Sequence, residues 1–327
     1  MARVECRGAS ESVALDGDQG CFKQLYELSP DPTWIIEDNH FVECNDAAIR
    51  TLGFLSREEL LNVHPSKLSP PTQPDGEDSY VKAERMMAFA KDNGLHRFEW
   101  MHTKADGTNF VAEVTLSAIQ LPGRHVIYCV WRDITERKQM EQQIRQLAFY
   151  DPLTKLPNRR LLSDRVSQAM VASKRSARYG ALIFFDLDDF KSVNDGHGHA
   201  VGDSLLIEVA RRLASCVRET DTVARFGGDE FIVLVDDLDE DEAESKRQAT
   251  NVAQKIQSVM SQPFRLTVSD MGKADTTFDT HCTASIGVAV FHGSQASQDN
   301  LISRADAAMY RAKRDGRSLI RFFEAKH

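Results

Sequence analysis

No two cysteines in this chain are spaced as Cys-x-x-Cys. Cys6, Cys21, Cys44, Cys129, Cys216 and Cys282 are scattered, which argues against a zinc site or a disulfide framework and fits reduced thiols. Apolar runs are short: none approaches the ~20 residues of a membrane-spanning helix, and the opening MARVECRG lacks the apolar stretch of a signal peptide. Basic charge is in deficit as well. Against 49 Asp and Glu stand 40 Lys and Arg, a net charge of −9, so there is no broad electrostatic footprint for nucleic acid, although local cationic clusters still suit a nucleotide polyphosphate. These absences lead to the expectation of a cytoplasmic protein with no membrane span and no nucleic-acid partner. What remains is 327 residues, 42% of them hydrophobic, enough for two domains with a core each.

The most informative stretch is residues 223–235, VARFGGDEFIVLV, in which two β-rich runs are joined by Gly227, Gly228, Asp229 and Glu230. Two adjacent carboxylates therefore sit at the tip of a predicted hairpin. The glycines permit positive φ and remove bulk, so an anionic ligand can approach the backbone while the acids hold a hard cation. A second acidic cluster, Asp186 to Asp189, follows the short apolar run Ala181–Phe185, which reads as a buried strand. Should that strand lie beside the hairpin, Asp186 and Asp229 converge on one or two Mg²⁺ ions, which favour a few carboxylates plus phosphate oxygens. Around them the pattern alternates. Helices are predicted over 164–177, 202–217, 241–260 and 300–314, and a strand over 284–290, with Gly316 closing the last helix. The hairpin beside the first strand implies a ferredoxin-like, palm-type arrangement.

Residues 145–325 resemble the GGDEF-type diguanylate cyclases. The resemblance rests on the entry segment Asp151 to Arg159, the stretch Asp186 to Asp203, the hairpin, Ala284 to Val288, and Ala305 to Lys313 with Gly316 and Arg317. It implies an enzyme that condenses two GTP into cyclic di-GMP and two pyrophosphates, using Mg²⁺ or Mn²⁺. By the same resemblance Asp186 and Asp229 are metal ligands, Leu187 offers its backbone carbonyl, and Glu230 assists either the metal or deprotonation of the attacking hydroxyl. Asn194 and Asp203 fall at the guanine contacts, where a carboxylate accepts the paired N1–H and N2–H donors, although Asp203 also reads as a helix N-cap. Lys313 and Arg317 match the polyphosphate contacts, with helix capping as the simpler reading, and the backbone of Asp189, Phe190 and Lys191 cradles the same phosphates. Arg218 and Asp221 match the site at which product inhibits. His197 and His199 are read as structural loop residues, since two histidines without a third ligand make a poor metal site.

Ahead of this lies a second pattern. After a polar extension over 1–20, a helix is expected from Cys21 to Leu28, strands at 34–36 and 40–44, and a helix at 46–52 stopped by Gly53. A proline-rich loop follows at 66–78, then strands at 97–102, 109–116 and 125–133. This antiparallel five-stranded set, ending in Asp133 to Lys138, resembles the PAS sensor domains and their C-terminal signature. The PAS ligand is unknown: Cys44 to Ala47 does not reproduce the core of flavin-binding relatives, and His64 is read as a loop residue in preference to a haem ligand. Between the halves, Met140, Ile144 and Leu147 form a narrow seam that suits a parallel dimer. The expected organisation is α+β throughout: PAS at 21–133, a signalling helix at 134–149 and the GGDEF domain at 150–327, acting as a homodimer. The alternatives are a silent receptor for GTP or cyclic di-GMP, against which the intact acids argue, and a PAS-directed scaffold in which the catalytic half merely dimerises.

Overall fold

A computed structural model of the chain describes residues 19–121, 123–268, 276–293 and 297–324. The chain divides into two compact units, Met1–Glu141 and Gln142–His327. Of the polar extension expected over 1–20, residues 1–18 lie outside the described residues, as does Cys6.

The first unit runs α1 (Gln19–Leu28), β1 (Thr33–Glu37), β2 (His40–Cys44), α2 (Asp46–Leu52), a 3-10 turn (Pro65–Leu68), α3 (Ser79–Asn93), β3 (Leu95–Thr103), β4 (Asn109–Leu121) and β5 (Arg124–Asp133). Its sheet has the order β2-β1-β5-β4-β3, antiparallel at every pairing. Local chemistry sets the ends of α2. The Asn45 side chain accepts from the Ala48 N–H at the start, and Gly53 closes the helix in the left-handed region at φ 73°. Trp34, Phe41 and Trp131 pack ring on ring in the core, with Trp34 and Trp131 centroids 4.9 Å apart.

One helix here was not expected. α3 is capped by Asp78, whose carboxylate accepts from Tyr80 N and Val81 N, but it leaves Tyr80, Val81 and Phe89 exposed. Apolar residues on both faces blur the 3.6-residue period that would have revealed it. His64 is the N-cap of the 3-10 turn: its Nδ1 accepts from Ser66 N and its Nε2 lies 2.9 Å from Glu84. Both ring nitrogens are thus engaged, which leaves neither for iron. Deeper in, His102 stacks on Trp131 and donates from Nδ1 to Leu68 O, and burial pushes its pKa down to about 3. The cavity beside it holds only about 30 Å³.

α4 (Thr135–Phe149) continues the chain, and the division between the units falls inside it. The second unit then runs α5 (Arg159–Ser176), β6 (Tyr179–Leu187), α6 (Phe190–His197), α7 (His199–Cys216), β7 (Thr222–Gly227), β8 (Glu230–Val235), α8 (Glu242–Met260), β9 (Phe264–Val268), β10 (Thr276–Thr280), β11 (Ala284–His292), α9 (Gln298–Arg314) and β12 (Ile320–Phe322). Its main sheet has the order β12-β11-β6-β8-β7, antiparallel except for β12 on β11, and β9 with β10 makes a separate ladder. The path β6-α7-β7-β8-α8-β11 is the βαββαβ of a ferredoxin-like palm. Both faces are covered. Ile183, Phe185 and Val233 pack with α7 and α8, while Leu182, Phe184 and Ile232 pack with α5 and α9. A central strand buried on both sides must be apolar at every position, which is why β6 reads as a continuous hydrophobic run.

Three expectations are corrected here. His197 ends α6 and His199 begins α7, so neither is a loop residue; Gly198, at φ 85°, makes the break between the two helices. Because α7 starts at His199, Asp203 lies inside the helix and is not its N-cap. The cap of α9 is Asp315, with Gly316 one residue beyond at φ 128°. No helix among the described residues is long and apolar enough to cross a membrane.

α9 approaches β11 most closely at Gly287, where a Cβ would overlap Ala305 O and Met309 N. Helix backbone cannot step aside as a side chain tip can. Gly287→Ala is therefore expected to lower unfolding stability by about 2 kcal/mol, read as a shifted denaturation midpoint, the usual cost of overpacking.

Candidate active site

The antiparallel pairing of β6 and β8 sets Asp186 opposite Glu230, and Leu187 N meets Asp229 O at 3.4 Å. The strands thus bring together two acidic clusters more than forty residues apart in sequence. At the hairpin tip only Gly228 uses the positive-φ freedom, at 51°. Lys313, on the last turn of α9, reaches back so that Nζ stands 2.6 Å from Asp186 Oδ1. The carboxyl of Asp186 is pushed above its ordinary range by burial and then by Asp229, with Lys313 opposing. Glu230 is raised likewise, first by burial and then by Asp186, Asp306 and Asp229.

Such crowding of like charge is what a bound cation relieves. Among the described residues no three His, Cys, Asp or Glu side chains form a ready-made metal cage.

The base-contact candidates sit together on α6 and α7. Gly202 has no Cβ, and the Asn194 amide fills that space: a methyl at Gly202 would overlap Asn194 Oδ1. Asn194 is thereby held against the residue preceding Asp203, whose side chain is exposed. Asp189 precedes α6 in the left-handed region at φ 58°, and Arg317 lies across from it, Nε 3.9 Å from Asp189 Oδ1. Arg317 and Ser318 are also left-handed, at φ 62° and 49°. Three non-glycine residues in that region around one site mark a backbone held by its surroundings.

What holds it is Asp188, a residue to which the sequence lent no role of its own. Its buried carboxylate accepts from Thr283 Oγ1 at 2.6 Å, Ser285 Oγ at 2.7 Å and Ser318 N at 3.1 Å. The hydroxyls of Thr283 and Ser285, which flank the first residue of β11, were the available signal. Cys282 beside them is inert: burial first, then Asp188 and its acidic neighbours, push its thiol up to about 12.

Arg225 and Asp151, given no individual role by the sequence, form a second tie. Arg225 grips Asp151 with Nη1 at 3.0 and 3.2 Å and the Gly228 carbonyl with Nε and Nη2 at 2.9 and 2.7 Å. Burial would raise the Asp151 carboxyl, but Thr154, through its N–H and hydroxyl, and Arg225 together hold it below its ordinary range. The entry turn is thereby locked to the hairpin tip.

Arg218 and Asp221 lie apart from the acids, beside a separate cavity of about 310 Å³ lined also by Gln248, Asn251 and Lys255. Their side chains do not pair. Asp221 Oδ2 accepts from the backbone N–H of Arg218, and Oδ1 is buried without a hydrogen-bond partner.

The family model described as "Diguanylate cyclase, GGDEF domain" matches residues 148–319, and a PAS domain model matches 30–136. The chain belongs to the GGDEF family. It is 42% identical over 191 residues to the bifunctional diguanylate cyclase/cyclic di-GMP phosphodiesterase MucR of Pseudomonas aeruginosa, a match covering 58% of this chain and 26% of MucR. The chain thus spans about a quarter of that relative. To the diguanylate cyclase DgcM of Escherichia coli it is 29% identical over 310 residues, 92% of this chain and 68% of DgcM. Among solved structures, the GGDEF domain of TpbB from Pseudomonas aeruginosa aligns at 36% identity with a TM-score of 0.46, covering 53% of this chain and 99% of that one. The coiled coil and GGDEF domain of DgcB from Caulobacter crescentus, in complex with c-di-GMP, aligns at 26% and 0.49, covering 58% and 93%.

Removing the Asp188 carboxylate leaves three donors facing a void. Asp188→Ala is expected to cost about 3 kcal/mol of stability, seen in chemical denaturation, because buried donors lose their common acceptor. A loss below about 0.5 kcal/mol, the range of surface substitutions, would contradict this role.

Proposed function

We propose that the protein is a diguanylate cyclase that joins two GTP molecules into cyclic di-GMP. The observation that carries this reading is the meeting of Asp186, Asp229 and Glu230 at one strand end, with Lys313 against them. In the reaction the 3′-hydroxyl oxygen of one GTP attacks the α-phosphorus of the other, the bond to pyrophosphate breaks, and the hydroxyl proton must be taken up. A second round closes the ring. Asp186 and Asp229, with the Leu187 carbonyl, would hold Mg²⁺ or Mn²⁺, which would neutralise triphosphate charge there. The proton passes to one of the hairpin carboxylates, Asp229 or Glu230. Asn194 and Asp203 orient guanine, Asp203 accepting its two N–H donors. Lys313 and Arg317, with the backbone of Asp189, Phe190 and Lys191, bind the phosphates; Lys313 exchanges Asp186 for phosphate when the triphosphate arrives.

One catalytic domain holds one GTP, so two copies must face each other. The exposed seam of α4 supports such a homodimer: Met140, Ile144 and Leu147 are 51%, 66% and 70% exposed. Through that helix the PAS domain would regulate the approach of the two domains. The cavity at Arg218 and Asp221 suits bound product, whose phosphate or guanine the guanidinium can contact.

Incubating the full chain with GTP and Mg²⁺ tests the reading, with cyclic di-GMP and pyrophosphate as the expected products. Asp186→Asn and Asp229→Asn should each lower turnover by about a hundredfold or more while leaving the folded state intact. Near-normal turnover in either would falsify the metal assignment.

A separate outcome concerns Gly202. Replacing it by alanine improves helix propensity by up to about 1 kcal/mol, yet the added methyl displaces the Asn194 amide. GTP affinity should fall about tenfold with no loss of stability, a split that a general packing defect would not produce. Unchanged affinity in calorimetric titration would remove Asn194 from the guanine site.

A further inference from the structure

A cavity of about 670 Å³ in the second unit is not lined by Asp186, Asp229, Glu230, Asn194 or Asp203. It lies on the other flank of the hairpin tip, where Gly227 and Gly228 form part of its wall and a Cβ on either would meet nothing within 4 Å. The volume falls within the range of small-ligand sites. Its chemistry is cationic in an unusual way.

Three arginines face two aspartates across this space, and their charges are not equally engaged. Arg225 is consumed by Asp151 and the Gly228 carbonyl. Arg159 and Arg160 make no ion pair among the described residues. Each instead lies over an aromatic face, Arg159 4.6 Å from the centre of Phe226 and Arg160 5.2 Å from that of Phe149. A guanidinium stacked in this way is held in orientation while its N–H edge stays free, the state in which it best receives a planar pair of anionic oxygens. The opposite wall is also fixed. Gln298, at the start of α9, donates to Ser163 and accepts from Ser167 at 2.8 Å, tying α9 to α5.

From this geometry we infer that the cavity binds a phosphate group of a guanine nucleotide, with Arg159 and Arg160 as its anion contacts. The inference deepens the cyclase reading and rests on it for the identity of the ligand. Phosphate in this place has two sources: GTP carried by a second copy of the chain, whose reacting end would meet the hairpin from this flank, or the phosphodiester of cyclic di-GMP. Either would sit next to the two glycines that precede Asp229.

The full chain is compared with Arg159→Ala/Arg160→Ala, Arg159→Lys/Arg160→Lys and Ser163→Asp. Calorimetry follows cyclic di-GMP, 3′-deoxy-GTP, which binds without condensing, and inorganic pyrophosphate; initial rates are taken at saturating GTP. The alanine pair should weaken a phosphate ligand or slow the rate by about tenfold or more, the scale of one lost charge-assisted contact. The lysine pair should fall between it and the parent. Ser163→Asp, which keeps both arginines but adds a negative charge, should resemble the alanine pair and guards against a folding defect in the latter. Weakened cyclic di-GMP with an unchanged rate identifies the product phosphate; a slower rate with unchanged product affinity identifies the GTP of a second copy. Pyrophosphate separates this inference from the cyclase reading. If the chain neither binds guanine nucleotides nor turns over GTP, weaker pyrophosphate binding in the alanine pair but not in Asp203→Ser still supports an anion site at the arginines. Equal affinities for all three probes and equal rates in the folded variants would overturn it.

Discussion

The buried carboxylate of Asp188 joins three pieces of chain that are otherwise far apart: the end of β6, the hydroxyls of Thr283 and Ser285 at β11, and the backbone of Ser318 beyond α9. A buried charge is tolerable only when its lone pairs are filled, so each of these donors is held where the carboxylate needs it. Around that point the chain is fixed in unfavourable backbone conformations at Asp189, Arg317 and Ser318. Asp186 lies two residues before it, and Lys313 and Arg317 lie just upstream of Ser318. The position of the acids relative to Lys313 and Arg317 therefore depends on one buried side chain.

Arg225 does for the hairpin what Asp188 does for the strand ends. Its two-sided grip on Asp151 and the Gly228 carbonyl sets the tip against the entry turn. Gly228 cannot then relax without breaking a charge-assisted contact. The acids themselves are left strained, Asp186 and Glu230 both raised above their ordinary range by burial first and by neighbouring carboxylates after it. A rigid frame around an unbalanced charge is what the proposed binding of a cation and a polyphosphate calls for.

Much of this was legible in the sequence because the signals were local. The apolar run before Asp186 marks a strand covered on both faces, and Gly227 and Gly228 mark the turn. Gly53 marks the end of α2 at the residue where the structure has it. Where local signals conflict, the reading failed. α3 carries apolar residues on its solvent side, and where the sequence suggests a loop around His197 and His199 two helices meet at Gly198, which puts Asp203 inside α7 and not at its cap.

By itself the sequence determined that there are two units, the helices and strands of clean periodicity within them, and which residues carry charge near the hairpin, since each of these is written in short-range pattern. Only the tertiary structure decided which charges meet. That Lys313 pairs with Asp186, that Asp188 is spent on Thr283, Ser285 and Ser318, and that Arg159 lies over Phe226 are facts about contacts across tens to more than a hundred residues. Such pairings follow from strand register and helix packing over the whole unit, and no window of sequence contains them.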